Sequence, residues 1–175
     1  MSWSEYVQRF RKNEFDQAVG AIGKMSVQFQ NLEFMLKSCI SYFINRDDDA
    51  YGAIVTEKLP YRELPRVFSN LIEYHAQKHE ISVDMERVRG TVAACNQIGH
   101  DRNRFVHSVY YPSEEGPMRF KLDLKPGKQP SSPAPISVTE IQKLITRIIG
   151  ARMSLSALFY WYFPEAKGQI AADET

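Results

Sequence analysis

The feature that most restricts this chain is a long apolar row in its first quarter. Phe15, Val19, Ile22, Ser26, Phe29, Leu32, Leu36, Ile40 and Phe43 follow one another at steps of three and four. Residues so spaced return to one side of an α-helix, so the stretch predicts one long helix with a single apolar stripe. Such a helix cannot bury its stripe alone, and the rest of the chain offers partners. Ser2 and Glu5 form a capping box that predicts a short helix to about Phe10. The row ends near Asn45-Arg46, and Asp47-Asp48-Asp49 offers an N-cap for a short helix over 51–57. Pro60 starts another helix with Leu64, Val67, Phe68, Leu71, Ile72 and His75, and Ser82 or Asp84 opens one running from about Met85 to His107. Ser137-Val-Thr-Glu140 is a second capping box. It begins a final helix with Ile141, Leu144, Ile145, Ile148, Ile149, Met153, Leu155 and Leu158, which Pro164 ends.

Between the last two helices the pattern changes. Val106–Tyr111 and Met118–Leu124 are β-prone and flank the turn signal Ser113-Glu-Glu-Gly116, so a hairpin is expected over about 106–124. Four prolines in 126–135 read as an exposed loop, and 165–175 as a flexible tail. The expected architecture is mainly α: an antiparallel helical bundle over 1–164, one domain, with a β-hairpin inserted before the last long helix. A chain of 175 residues with 43% hydrophobic and 25% charged residues fits one such core. Its net charge of +1 supplies no general attraction for nucleic acid, so a nucleic-acid function needs a local site. Cys39 and Cys95 both fall in apolar helical patterns, where a free buried thiol is expected and a disulfide framework is not. The start of the chain lacks the basic and apolar regions of a signal peptide, and no apolar run approaches the roughly 18 residues of a membrane span. The expected address is the cytoplasm, with no membrane partner.

Chemistry gathers on the helix predicted over 85–107. Projected at about 100° per residue, Val88, Val92, Cys95, Ile98 and Val106 make its core-facing stripe. Arg89, Asn96, His100, Asn103 and His107 share another side, at steps of seven, four, three and four. A surface helix needs a polar face, which is the plain account of that row. Two features point further. The row is rich in Asn and His rather than in Lys and Glu, the common solvating helix formers. It also converges on the helix end, where side chains can face a cleft. Arg102 projects onto the apolar side, where a guanidinium must be paired. Glu33 breaks the apolar row between Phe29 and Leu36 in the same way. The two misplaced charges suggest a Glu33–Arg102 pair, the alternative being that one of them snorkels to the surface.

Arg102-Asn103-Arg104-Phe105-Val106-His107 resembles the signature of the HEPN superfamily: an arginine, a polar residue, a short spacer and a histidine at the end of a bundle helix. Ser108, the later hairpin, the long terminal helix and Asn31-Leu32-Glu33 on the long first helix add to the likeness, which extends over roughly 13–163. The resemblance implies a small stand-alone endoribonuclease that cleaves RNA without a metal or cofactor. The RNA 2′-hydroxyl attacks the adjacent phosphodiester at a composite site in a homodimer. Toxin or phage-defence roles, with an antitoxin or defence-system partner, are implied on the same ground. Arg102 and His107 would be catalytic, with Asn103, Glu33, Asp101, Arg104, His100, Asn96 and Arg89 supporting them or binding substrate. The residue types suit the task. An imidazole can take or give a proton near neutral pH, and a guanidinium can hold a phosphate and stabilise developing charge. A spacing of five, however, sets Arg102 and His107 about 140° apart on an ideal helix. The arginine must reach round, the helix end must distort, or the site must be completed by a second copy. Otherwise Arg102 is structural and Arg104 is the better phosphate ligand. The alternative function is a non-catalytic module that uses the row to dimerise or to bind a partner or nucleotide.

Other patterns carry less. His75 and His79 have the spacing of a zinc pair, but a third ligand is not evident, and no metal is expected. HEPN toxins paired with nucleotidyltransferases carry a tyrosine two residues after the motif histidine; here Val109 stands there and Tyr110 follows. Phe159-Tyr-Trp-Tyr-Phe163 reads as core or dimer contact.

Overall fold

The fold is seen in a computed structural model that describes residues 3–44, 49–121 and 132–166. Among these, five α-helices and three strands follow in order: α1 (Trp3–Ile44), α2 (Asp49–Glu57), α3 (Leu64–Lys78), α4 (Met85–Val106), β1 (Ser108–Ser113), β2 (Gly116–Lys121), β3 (Ala134–Pro135) and α5 (Val138–Tyr162). Single 3-10 turns at Tyr61–Glu63 and Pro164–Ala166 precede α3 and follow α5. The chain is thus mainly helical, with a small antiparallel sheet before the last long helix. No helix among the described residues is long and apolar enough to cross a membrane.

The helix signals act where the sequence puts them, with instructive exceptions. The two helices expected before Ile44 are one, 42 residues long. The join, Arg11-Lys-Asn-Glu14, holds no proline or glycine, and most of it favours helix, so nothing interrupts propagation. Asp84 caps α4, its Oδ1 accepting from the Arg87 amide at 3.0 Å. Ser137 caps α5, its Oγ accepting from the Glu140 amide at 3.2 Å. Pro60 opens a 3-10 turn before α3 begins at Leu64. The expected hairpin is present from 108 to 121; its proposed last residues, 122–124, lie outside the described residues, as do most of the proline-rich loop, the tail from 167 and the caps at Ser2, Asp47 and Asp48. At the end of that loop the expectation fails. Ala134–Pro135 is a third strand rather than free loop, and the Ile136 amide donates to the Pro117 carbonyl at 3.0 Å. Ile136, the residue after the strand, is buried.

The chain divides into two compact units, residues 1–28 with 100–146, and 29–99 with 147–175. In the first, strand order is β1-β2-β3, antiparallel, with Ser108 opposite Lys121, Ser113 opposite Gly116 and Met118 opposite Pro135. Gly116 closes the β1–β2 turn at φ 107°, a left-handed backbone that a side chain would strain. Ser113 Oγ braces the turn, donating to the Gly116 carbonyl at 2.8 Å and accepting from the Glu115 amide at 3.1 Å. Buried apolar residues of this unit include Ala18, Ala21, Met25, Phe105, Ile136, Ile141 and Leu144. Val19, expected in the apolar row, is 46% exposed; the buried side of α1 here runs through alanines at 18 and 21 instead.

The second unit is a helical bundle. Phe29, Leu32, Leu36 and Ile40 of α1, Phe68 and Ile72 of α3, Val88, Cys95 and Ile98 of α4, and Ile148, Leu155 and Leu158 of α5 are buried, much as their spacing predicts. Met153 is the exception, 64% exposed. A Cβ on Gly52 would stand 2.6 Å from Ser41 Cβ, so α2 approaches α1 this closely only with glycine there. Tyr61 links the 3-10 turn to two helices. Its ring lies 4.4 Å from that of Phe29, and its hydroxyl donates to the Cys95 carbonyl at 2.9 Å. Cys39 and Cys95 are buried and free, as expected.

Candidate functional site at the end of α4

His107 is the first residue beyond α4 and is exposed. The helix expected to reach His107 ends one residue earlier, at Val106. What ends the helix there is a set of side chains turned back onto its last carbonyls, which have no partner within the helix. The Arg104 carbonyl accepts from Ser108 Oγ at 2.8 Å and from Arg119 Nη1 at 2.9 Å. The Phe105 carbonyl accepts from the Tyr110 hydroxyl. Beneath them the Phe105 side chain is 2% exposed, and the Arg119 guanidinium lies 5.3 Å from its ring centroid. Arg119 therefore anchors the turn three ways: by a hydrogen bond, by a cation–π contact, and by placing positive charge where the helix dipole is negative. Burial pushes the Tyr110 phenol above its ordinary value, against the opposing influence of Arg119 and Ser108, so it stays a neutral donor.

The remaining predicted residues fall in three groups. His100, Asp101, Arg102, Asn103 and Arg104 occupy the last turns of α4 with His107 just beyond. Arg102 is half-buried, as its projection onto the apolar side suggests in part, and its Nη1 donates to Asn103 Oδ1 at 3.2 Å. His100 Nδ1 lies 3.9 Å from Asp101 Oδ1, with the imidazole 78% exposed. Arg104 pairs with Glu140 of α5 at 3.2 Å, both about half exposed. Glu33 belongs to the other unit and pairs with Lys37 one turn on, at 2.9 Å. Asn96 and Arg89 are exposed in that unit. All five members of the polar row, Arg89, Asn96, His100, Asn103 and His107, are solvent-facing.

Three contributors were not legible beforehand: Arg119, Tyr110 and Glu140. Tyr110 and Glu140 stand in or beside motifs read there for other reasons, and Arg119 reaches the helix end only because β2 folds back on β1. Among the described residues no group of three or more His, Cys, Asp or Glu side chains could hold a metal ion. His75 and His79 stack on each other, ring centroids 4.2 Å apart. Of the aromatic run, Phe159 and Phe163 are buried while Trp161 is 77% exposed. No family model matches this chain, and no curated protein or solved structure matches it significantly.

Proposed function

We propose that this chain is a HEPN-like endoribonuclease that works with no metal, as a homodimer in the cytoplasm, in a toxin or defence role. The observation that carries the reading is the placement of His107: exposed, immediately after α4, five residues beyond a half-buried Arg102 in an Arg-Asn-x-x-x-His motif. In this scheme His107 takes the proton of the RNA 2′-hydroxyl, or gives one to the departing 5′-oxygen. Arg102 holds the non-bridging phosphate oxygens and offsets the charge that grows on them. Attack by the 2′-oxygen on phosphorus breaks the bond to the 5′-oxygen, leaving a 2′,3′-cyclic phosphate and a 5′-hydroxyl. Asn103 orients the guanidinium, which it already contacts. Arg104 is a weaker candidate for phosphate because it is engaged by Glu140.

A second reading, a non-catalytic module that binds a partner through the same row, is favoured by the full exposure of that row and by the net charge of +1. Incubation of the purified protein with single-stranded RNA in EDTA separates the two. Cleavage with cyclic phosphate ends, reduced roughly 10²- to 10⁴-fold by His107→Ala with the circular dichroism melt unchanged, is the expected result. Intact RNA with the wild type, together with altered assembly of the His107→Ala variant, would transfer the site to the second reading.

A further inference from the structure

The second unit contains a groove between α4 and α5 that none of the chemistry above uses. It has a volume of about 420 Å³ and is lined by Arg87, Gly90, Thr91, Ala94 and Ile98 of α4 and by Arg147, Ala151 and Ser154 of α5. That volume lies in the range of small-ligand clefts, roughly 300–1,000 Å³. Each helix presents its share at steps of three and four, so both rows face one trough. The floor is built of small residues, and the lining holds two guanidinium groups and no carboxylate.

We infer that this groove binds a phosphate-bearing ligand, with Arg87 and Arg147 holding the phosphate and the Gly90–Ala94–Ala151 floor receiving the organic part. Charge complementarity selects the class: two planar guanidinium forks suit tetrahedral phosphate oxygens. Asp84, three residues before Arg87, is committed to capping α4 through the Arg87 amide, and Glu86, beside Arg87 in sequence, is not among the lining residues. The Thr91 hydroxyl donates to the Arg87 carbonyl at 3.0 Å, so toward a ligand it is an acceptor, suited to a ribose or other hydroxyl. At Gly90 an added Cβ would meet nothing within 4 Å. Its missing side chain is therefore not a packing requirement of the fold, and it leaves the α4 backbone open to the ligand. The ligand is either a free phosphorylated small molecule or the phosphodiester chain of RNA, and the inference does not rest on RNA cleavage.

The test uses the full-length protein and three probes: ADP and poly-glutamate by calorimetry, and a fluorescein-labelled ten-nucleotide oligouridine by anisotropy. Wild-type protein is expected to bind ADP or the oligouridine, the one that binds naming the source. Arg87→Gln should weaken that binding roughly tenfold or more. Gly90→Leu keeps both arginines, fills the trough, and suits an open helix position better than glycine does. It should abolish binding while the thermal melt holds or rises. Failure of both phosphate probes, binding by poly-glutamate alone, or affinity unchanged by either substitution would overturn the assignment. So would self-association that Gly90→Leu removes in protein that binds no phosphate probe, which would give the trough to a second copy.

Discussion

Two histidines show how differently this chain uses one side chain. His75 on α3 is half-buried among rings, 5.4 Å from Phe43, 5.2 Å from Phe163 and 4.2 Å from His79, centroid to centroid. His107 stands in solvent on a turn held by hydrogen bonds to exposed carbonyls. Around His75 the fold is secured by burial, and Phe43, Phe159 and Phe163 meet edge-on or tilted at 5.0–5.7 Å. Around His107 it is secured by polar caps, with one buried phenylalanine beneath. Packing of the first kind gives stability and leaves no room for substrate. Capping of the second kind fixes a backbone turn and keeps the side chain available.

The contrast can be broken at several points. Phe159→Ala should lower stability by about 3–5 kcal/mol, seen as a drop in denaturant midpoint, while the proposed RNA cleavage should be unchanged in the protein that remains folded. Loss of cleavage from the fully folded variant would mean that packing in the second unit also governs the site.

A pH titration probes the same interior. Burial raises the Cys95 thiol from 9.0 to about 12 and pushes Cys39 well above its usual value. The unfolded chain then loses thiol protons before the folded one does. Stability from these thiols is full below about pH 9 and declines as pH rises toward 12, by about 1.4 kcal/mol per pH unit for each thiol. Denaturant melts from pH 8 to 11 should show the decline, and Cys95→Ala should make it shallower, leaving the share that Cys39 contributes. A thiol reagent that modifies the native protein at the unfolded rate would contradict the burial.

At the other site the effects are smaller and more specific. Arg119→Ala removes a charged hydrogen bond and a ring contact from the end of α4, and should cost about 1–3 kcal/mol. If the proposed activity holds, cleavage should fall more than stability does, because the turn that carries His107 loosens. An equal loss in both would mark Arg119 as general scaffolding. Smallest of all, Glu140→Gln breaks an ion pair that is about half exposed on both sides, and should change stability by no more than about 1 kcal/mol. A larger change would mean that Arg104 relies on Glu140 as its anchor.

Much of the helix framework was readable because its signals are local. Asp84 and Ser137 start helices by accepting from the amides just after them, Pro164 follows the end of α5 because it has no amide hydrogen to continue it, and the burial of Leu32, Leu36, Ile72, Cys95, Leu155 and Leu158 follows from spacing. The fusion of α1 is not legible from a capping signal at its start, because such a signal marks where a helix begins and not where it ends. Val19 and Met153 were misplaced because periodicity names a face without saying how far the covering neighbours extend. At the candidate site, the motif from Arg102 to His107 and the exposure of its polar row were visible in one dimension. Arg119 and Tyr110 were not, since a hairpin must close before they reach the helix end.

The sequence by itself determined that the chain is mainly helical, where most of its helices begin, and which short motif the proposed chemistry would use. These properties depend on residues within a few positions of one another, whose geometry the backbone period imposes. Only the tertiary structure decided that α4 stops at Val106 under three returning side chains, that Ala134–Pro135 joins the sheet, and that two arginines sixty residues apart in sequence, Arg87 and Arg147, line one groove. Each of those depends on distant segments meeting, and that is set by the joint packing of side chains rather than by any local pattern.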